Sequence, residues 1–233
     1  MSLFQNCNAV LIDLDGTLVD SVPDLALSID QMMLQLTMPV RGIDAVTEWI
    51  GNGVERLVKR ALVNSMQGEP SEALFQKALP LFEVAYAANN GKHSYLYDGV
   101  ETGLNYLQQQ GYRLACVTNK PAAFTQPLLA VMGIADFFDA TIGGDQVARI
   151  KPDPQPLLMA AQKLGVDPKQ AIMLGDSITD VMAARGAGMP IICVSYGYNH
   201  GQAISGQEGH GQERHSHHPD AVIDSLAELK TLI

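Results

Sequence analysis

The amino-acid sequence predicts an α/β protein with a doubly wound parallel sheet and an inserted helical domain. Over most of its 233 residues, short apolar runs alternate with segments of helical periodicity, which is the pattern of parallel strands joined by crossover helices. Residues 19–91 are the exception, because they show helical periodicity and no convincing strand. The alternating part therefore predicts a Rossmann-like sheet, and the exception predicts an insertion.

The predicted strands are short and almost wholly apolar, as expected for strands that helices cover on both faces. They lie at residues 9–12, 113–117, 140–142, 171–174, 191–194 and 221–223. The segments between them that have helical periodicity each stop at a glycine, which commonly ends a helix. These helices are predicted at residues 100–110, 124–132, 156–164 and 178–187, and we expect Asp98 to cap the first.

The helical insertion divides the chain into two domains. We expect residues 1–18 and 92–233 to form the α/β core, and residues 19–91 to form a small helical domain inserted after the first strand. Because the chain crosses between the domains twice at neighbouring points, the crossings are predicted to act as a hinge.

The charge and composition of the chain exclude several classes of partner. The net charge is −10, from 25 acidic and 15 basic residues, so we expect no general attraction to nucleic acid or to an anionic membrane. No apolar run approaches the roughly 18 residues of a membrane span, and the N-terminus lacks the features of a signal peptide. A cytoplasmic location is therefore expected, with Cys7, Cys116 and Cys193 as reduced thiols.

Two carboxylates follow the first predicted strand directly. Asp13 and Asp15 are two residues apart, so in an extended chain their side chains point the same way, and Gly16 lets the chain turn beside them. Adjacent carboxylates repel each other unless a cation or a proton intervenes. A hard, oxygen-seeking cation such as Mg²⁺ is the expected partner.

Further polar residues follow other predicted strands or lie between them. Thr118 and Asn119 end the second strand and open a helix, where free N–H groups can bind phosphate oxygens. Asp176 follows the fourth strand, with Asp180 one helical turn later, and Lys151 is followed by a proline that stiffens its approach. Because the carboxyl ends of parallel strands share one edge, these groups are expected to meet there.

The order of these motifs resembles the haloacid dehalogenase superfamily, in its phosphatase branch. The motifs are Asp13-Leu14-Asp15-Gly16-Thr17, Thr118-Asn119, Lys151-Pro152, and Gly175-Asp176 with Asp180, and the resemblance covers essentially the whole chain except a histidine-rich stretch. The insertion resembles the four-helix cap of that superfamily. The resemblance implies Mg²⁺-dependent hydrolysis of a small phosphomonoester through an aspartyl-phosphate.

The resemblance also implies a role for each motif residue. Asp13 is expected to be the nucleophile, and Asp15 the group that donates and accepts protons. The Asp13 carboxylate, the Asp15 main-chain carbonyl and Asp176 are expected to hold the Mg²⁺.

The remaining motif residues are implied to surround the phosphoryl group. Thr118, Asn119 and Lys151 are expected to stabilise its oxygens as charge develops on them. Asp180 is expected to position Lys151 or a metal-bound water.

Residues of the cap bear on the choice of substrate. Within the phosphatase branch, the chain resembles bacterial phosphoglycolate phosphatases at residues 49–57 and 195–199, which implies 2-phosphoglycolate as the substrate. Gly53 opens a helix whose N-terminus suits a small carboxylate. Arg56 and Arg60 lie one helical turn apart, and either could pair with that carboxylate. Whether the protein is a monomer or a homodimer stays open.

Other activities on this scaffold are also open. A sugar-phosphate phosphatase, or a β-phosphoglucomutase-like mutase whose cap holds a second phosphate with Arg56 and Arg60, is the main alternative. A dehalogenase is disfavoured because its chemistry does not need the acid Asp15. A phosphonate hydrolase needs a desolvated cap lysine, which neither Lys59 nor Lys77 resembles. A non-catalytic binding protein would be expected to have lost part of the motif set.

A histidine-rich stretch stands apart from these motifs. Residues 200–219 carry five of the six histidines and little apolar content. Because their spacing fixes no coordination geometry, we expect a solvated loop rather than a metal-binding tract.

Overall fold

The described residues of the core form a six-stranded parallel sheet. The structure is a computed structural model, and it describes residues 4–201, 204 and 218–233. The strands are β1 (Ala9–Ile12), β4 (Arg113–Val117), β5 (Ala140–Ile142), β6 (Ala171–Gly175), β7 (Ile191–Val194) and β8 (Ala221–Ile223). Their order is β5-β4-β1-β6-β7-β8, and every neighbouring pair is parallel. The residues that follow β1, β4 and β6 therefore meet at one edge.

Helices cover both faces of this sheet because successive strand residues point to opposite faces. Val10 and Ile12 of β1 belong to the apolar cluster that includes residues of α5 (Val100–Gln109), α6 (Ala122–Val131) and α9 (Leu229–Leu232). Ala9 and Leu11 face the other side, where they pack with α7 (Gln155–Leu164) and α8 (Ile178–Ala187). The continuous apolar run of β1 is thus explained by burial on both sides.

The insertion folds as four helices around a hydrophobic core of its own. The helices are α1 (Val22–Gln35), α2 (Gly42–Trp49), α3 (Val54–Val63) and α4 (Glu72–Asn89). Ile29, Val58 and Phe82 are among its fully buried residues, and Phe124 and Tyr198 of the core domain pack against the same cluster. The cap therefore lies directly over the carboxyl edge of the sheet.

Strand pairing and hydrogen bonds join the two segments in which the chain crosses between core and cap. The outgoing strand β2 (Val19–Asp20) pairs antiparallel with the returning strand β3 (Tyr95–Leu96). Asp24, fully buried in the first turn of α1, accepts hydrogen bonds from the returning segment. Its donors are the N–H groups of residues 91, 93 and 94, at 2.9, 2.9 and 3.0 Å, and the Ser94 hydroxyl at 2.6 Å.

The structure confirms the predicted α/β class and corrects one local detail. All the predicted strands are present, and the predicted core helices agree to within two residues at each end. Asp98 does not cap α5, because that helix begins after Gly99, which adopts a φ of 85° and takes the cap position itself. The domain boundaries stay a prediction, although α1 to α4 all lie within residues 19–91.

Two further expectations concern the surface of the chain. No helix among the described residues is long and apolar enough to cross a membrane. Of the histidine-rich stretch, residues 202, 203 and 205–217 lie outside the described residues, so its prediction as a solvated loop is not tested there.

Candidate active site

Three carboxylates meet at the carboxyl edge of the sheet. Asp13 follows β1, Asp176 follows β6, and Asp180 lies in the first turn of α8. One oxygen from each lies within 4.8 Å of the other two. Asp180 is fully buried, Asp176 is buried, and the Asp13 side chain is 13% exposed. The fold thus brings together acidic groups from two distant parts of the sequence.

Lys151 places its ammonium group among these carboxylates. Its Nζ lies 2.9 Å from Asp13 Oδ1 and 2.7 Å from Asp180 Oδ1, and it donates to the Val117 carbonyl at 2.9 Å. The hydrogen bonds to Asp180 and to the Val117 carbonyl use two of the three N–H bonds of the ammonium group, and the contact with Asp13 Oδ1 is an ion pair without hydrogen-bond geometry. The Lys151 side chain is only 1% exposed, and its position is therefore set by the protein.

The cluster holds more negative than positive charge. Burial, assisted by Asp180, raises the pKa of Asp13 to about 7, although Lys151 opposes the shift. Burial and the charges of Asp180 and Asp13 raise the pKa of Asp176 well above its ordinary value. Burial alone lowers the pKa of Lys151, but Asp13 and Asp180 outweigh it and hold that pKa above its ordinary value. The cluster therefore has one ammonium group for three carboxylates. Binding of a further cation is favoured because it offsets the excess negative charge.

Both carboxylate oxygens of Asp180 already accept hydrogen bonds from the protein. Its Oδ1 accepts a hydrogen bond from Lys151 at 2.7 Å. Its Oδ2 accepts from the Ser177 hydroxyl at 2.8 Å and from the N–H groups of Ser177 and Asp176 at 3.2 and 3.3 Å. With this many donors, Asp180 is suited to position Lys151 rather than to bind a metal.

Asp13 and Asp176 retain the capacity to bind a cation. Asp13 Oδ1 is buried and, among the described residues, receives no hydrogen bond of good geometry despite its contact with Lys151. The Asp176 oxygens accept from the Thr17 hydroxyl at 3.2 Å and from the Tyr198 N–H at 2.8 Å, which leaves lone pairs free. This oxygen donor set fits Mg²⁺.

Two glycines leave room for the Asp176 carboxylate. Gly16 has a φ of +88°, and a Cβ built there would overlap Asp176. A Cβ on Gly197 would overlap the same side chain. The glycine in the Asp13–Thr17 motif is therefore required both for the turn and for the close approach of a site residue.

Asp15 faces a second ammonium group, that of Lys120, which the sequence motifs do not assign to the site. Lys120 Nζ lies 2.6 and 2.8 Å from the two Asp15 oxygens, and the Ser21 hydroxyl donates to Oδ1 at 2.6 Å. Burial lowers the pKa of Lys120, but Asp15 and Tyr86 outweigh it and hold that pKa above its ordinary value. The available signal was a lysine directly after the Thr118-Asn119 motif.

Thr118 lines the candidate site, as its place after β4 predicts. Thr118 lies beside Asp13 and Asp15 in a shared cavity, and its Oγ1 accepts a bond from the Lys120 N–H at 3.2 Å. Its hydroxyl hydrogen therefore stays available to a phosphate oxygen.

Asn119 does not direct its side chain at a phosphate as expected. Its Nδ2 donates to the carbonyls of Gly51 and Lys151, each at 2.9 Å, and its Oδ1 accepts from the Lys151 N–H at 2.9 Å. Both amide hydrogens are thus used, so Asn119 fixes the backbone of Lys151 and contacts the cap. From the residue type alone, an asparagine that binds backbone groups cannot be distinguished from one that binds an anion.

The expectation for the cap arginines is not supported. Arg56 donates to Glu69 at 2.6 Å and to the Met66 carbonyl at 3.0 Å. Arg60 is buried and donates to the Trp49 carbonyl at 2.6 Å. Both guanidinium groups are engaged within the cap, because the loop after α3 folds back over that face of the helix. Gly53, in contrast, does line the cavity beside Asp13.

Tyr198 is another residue that the sequence analysis did not assign to the site. Besides donating its N–H to Asp176, it accepts bonds at its hydroxyl from the N–H groups of Ser21 and Val22, at 2.9 and 3.3 Å. The hydroxyl lies 2.9 Å from Asp20 Oδ1, to which it donates. Tyr198 therefore links Asp176 of the core to the crossing that leads into the cap.

The cavity at this site is small and has two unlike walls. Its volume is about 40 Å³. The core contributes polar residues, and the cap contributes apolar ones, namely Leu25, Ile50, Val54 and Leu57, with Gly51 and Gly53. Such a cavity can bind a small polar ligand at its core wall while the cap excludes water.

Family models match this chain over nearly its whole length. A model described as haloacid dehalogenase-like hydrolase matches residues 7–188. A second model, described as HAD-hydrolase-like, matches residues 149–229. Together these matches include every residue of the candidate site.

Individual relatives are similar across equally long segments. A phosphoglycolate phosphatase of Nitrosococcus oceani is 54% identical over 224 residues, covering 96% of this chain and 95% of that protein. One of Thiobacillus denitrificans is 42% identical over 225 residues, covering 97% and 95%. The crystal structure of a predicted phosphoglycolate phosphatase from Haemophilus somnus is 36% identical, with a TM-score of 0.87 and coverage of 97% and 98%.

Proposed function

We propose that this chain, which belongs to the haloacid dehalogenase-like hydrolase family, hydrolyses 2-phosphoglycolate to glycolate and inorganic phosphate with the aid of Mg²⁺. The observation that carries the proposal is the placement of Lys151 Nζ 2.9 Å from Asp13 and 2.7 Å from Asp180, beside Asp176. The names of the similar proteins, all full-length matches, support the choice of substrate.

In the proposed reaction, Asp13 attacks phosphorus and the bond from phosphorus to the leaving oxygen breaks. Asp15 donates a proton to that oxygen, which leaves as the hydroxyl of glycolate. Asp15 then accepts a proton from a water molecule, whose oxygen attacks the phosphorus of the aspartyl-phosphate. Phosphate leaves, and Asp13 is regenerated as a carboxylate.

Lys151 and Thr118 are proposed to stabilise the phosphoryl oxygens. Lys151 is held in place by Asp180 at its ammonium group and by Asn119 at its backbone. Because Lys151 is fixed before substrate binds, little reorganisation of its ammonium group is needed as charge develops. In this account Asn119 acts by positioning Lys151 and not through its own amide.

The Asp13 carboxylate, the Asp15 main-chain carbonyl and Asp176 are the residues that would hold the Mg²⁺. When bound, the cation supplies positive charge that offsets repulsion among the carboxylates and the phosphoryl oxygens. Thr17 and Tyr198 orient Asp176 through hydrogen bonds to its two oxygens.

A mutase is less well supported than a phosphatase. Its cap must bind a second phosphate, and the cap arginines that could do so are bonded to Glu69 and to cap carbonyls. We therefore expect phosphate release, and no isomerisation of a hexose 1-phosphate.

The test is a phosphate-release screen over small phosphomonoesters, including 2-phosphoglycolate, with and without Mg²⁺. We expect 2-phosphoglycolate to have the highest kcat/KM, chelator to abolish turnover and Mg²⁺ to restore it. Asp13→Asn is expected to lose all measurable turnover while folding normally. Asp136→Asn, at an exposed position away from the site, is the matched control. Substantial turnover by purified Asp13→Asn protein, or full activity in chelator, would refute the proposal.

A further inference from the structure

We infer that Lys120 binds the carboxylate of the substrate, and so selects phosphomonoesters with an anionic group one carbon away from the ester oxygen. This inference rests on the proposed function, because it takes Asp15 as the group that faces the leaving oxygen. It assigns substrate selection to the core domain, whereas the sequence motifs indicate the cap.

Lys120 supplies the positive charge of the cavity wall. Among the described residues that line the cavity, it is the only one with a cationic side chain; the other charged ones are Asp13 and Asp15. The cap wall offers the uncharged side chains of Leu25, Ile50, Val54 and Leu57, together with Gly53 at the N-terminus of α3. Among the described lining residues, Lys120 is therefore the one charged side chain that can pair with a substrate carboxylate.

The position of Lys120 matches the geometry of a short acid. Its Nζ contacts both Asp15 oxygens, at 2.6 and 2.8 Å. An ester oxygen within hydrogen-bond distance of Asp15, about 2.7 Å, would lie close to the same ammonium group. In 2-phosphoglycolate a single methylene separates the ester oxygen from the carboxylate, so the carboxylate can reach Lys120 when the ester oxygen reaches Asp15.

The environment of Lys120 makes such a contact strong. Its side chain is 3% exposed, and Asp15 is 14% exposed. The ammonium group lies 5.1 Å from the centre of the Tyr86 ring, which shields it further from water. A charge-assisted hydrogen bond is stronger where water is excluded. Asp15 accepts two hydrogen bonds from the ammonium group, and the Tyr86 hydroxyl is the other side-chain group that interacts with it. A substrate carboxylate would therefore take the third N–H bond in competition with the neutral Tyr86 hydroxyl, without displacing Asp15.

The test compares two substrates of similar size that differ in charge. These are 2-phosphoglycolate and 2-hydroxyethyl phosphate, in which a neutral CH₂OH group replaces the carboxylate. We expect the wild-type enzyme to prefer 2-phosphoglycolate. Lys120→Met should reduce the ratio of the two kcat/KM values by roughly 10- to 100-fold, as expected for the loss of one charge-assisted hydrogen bond. Most of the change should lie in KM for 2-phosphoglycolate.

Controls separate recognition from a merely structural role. Lys163→Met, at an exposed position on α7, should leave both substrates unchanged. If Lys120 only holds Asp15 in place, Lys120→Met will slow both substrates equally and leave the ratio intact, which would overturn the inference. If the methionine variant does not fold, Lys120→Gln provides the same ratio, with the same expected drop.

The two proposals fail in different ways. A wild-type enzyme with no preference between the two substrates would refute 2-phosphoglycolate as the substrate, and the role of Lys120 with it. A wild-type preference that survives in Lys120→Met or Lys120→Gln would refute the role of Lys120 alone.

Discussion

Asp180 illustrates how one buried side chain organises its neighbours in the site. It accepts bonds from Lys151, from the Ser177 hydroxyl and from main-chain N–H groups at the start of α8. It therefore joins the helix N-terminus to the ammonium group that faces Asp13. The capping of α8 and the orientation of Lys151 depend on the same carboxylate.

We expect Asp180→Asn to impair catalysis more than folding. The asparagine can still accept hydrogen bonds at the helix N-terminus, but it removes the charge that orients Lys151, so kcat should fall about 10- to 100-fold. Loss of a negative charge also relieves repulsion with Asp13 and Asp176, which offsets part of the lost ion pair. Steady-state kinetics and thermal unfolding of purified protein measure the two effects. A kcat within about twofold of wild type would contradict this role for Asp180.

The sequence identifies some of these residues more readily than others. Three of these residues follow a strand of the sheet, namely Asp13, Asp15 and Asp176. The order of strands and helices therefore brings them to the carboxyl edge, and the proline after Lys151 marks that lysine as part of the same pattern. The contacts of Lys120 and Asn119 depend on the path of the loop after β4 in three dimensions. Both residue types also occur as helix caps or solvated side chains, so sequence alone does not reveal which contact they make.

At the scale of elements, α1 and the returning segment form one unit. Asp24 in the first turn of α1 accepts three main-chain N–H bonds and one hydroxyl bond from residues 91–94. This connection fixes where the cap re-enters the core. The helical periodicity of α1 predicts the helix, but the partner of its buried aspartate lies some seventy positions later, beyond the reach of local patterns.

Asp24→Ala should destabilise the protein by about 3 kcal/mol or more, because it leaves several buried main-chain N–H groups without an acceptor. Asp44→Ala is the matched control, since Asp44 lies in the first turn of α2 and is exposed. Urea denaturation of both variants gives the comparison. An Asp24→Ala protein as stable as the Asp44→Ala protein would show that the hydrogen bonds of Asp24 to residues 91–94 contribute nothing to stability.

Helix α3 shows where sequence periodicity misleads. Arg56 and Arg60 do share a face of the helix, as their spacing predicts. Periodicity does not specify what that face meets, and here it meets the segment that returns from α3 towards α4, including Met66 and Glu69. The arginines are consequently engaged within the cap.

At the scale of the whole molecule, the cap and the core have separate hydrophobic clusters that meet over the carboxyl edge of the sheet. Hydrogen bonds also join them across the site. Asn119 donates to the Gly51 carbonyl at 2.9 Å, and Asn90 donates to the Phe124 carbonyl at 2.8 Å. The cavity of about 40 Å³ between them is small, so we expect the cap to move on the hinge to admit a phosphate ester.

Because the carboxylate cluster repels itself, the stability of the whole protein should depend on Mg²⁺. At a concentration about 100 times the dissociation constant, binding to one site adds about 2.7 kcal/mol. For a chain of this size that corresponds to a Tm increase of roughly 5–10 °C. Thermal unfolding with Mg²⁺ and with chelator measures it, and Asp176→Asn should lose most of the increase. An equal increase in that variant would place the cation elsewhere.

The central claim, that distant segments converge to make Asp13 the nucleophile, is tested most directly by trapping the covalent intermediate. Enzyme turning over 2-phosphoglycolate is quenched rapidly in acid and reduced with borohydride, which converts a phosphorylated aspartate to homoserine that peptide mass spectrometry locates. We expect homoserine at position 13, rising and then decaying as substrate is consumed. Homoserine at any other position, or at none throughout the transient, would contradict the account.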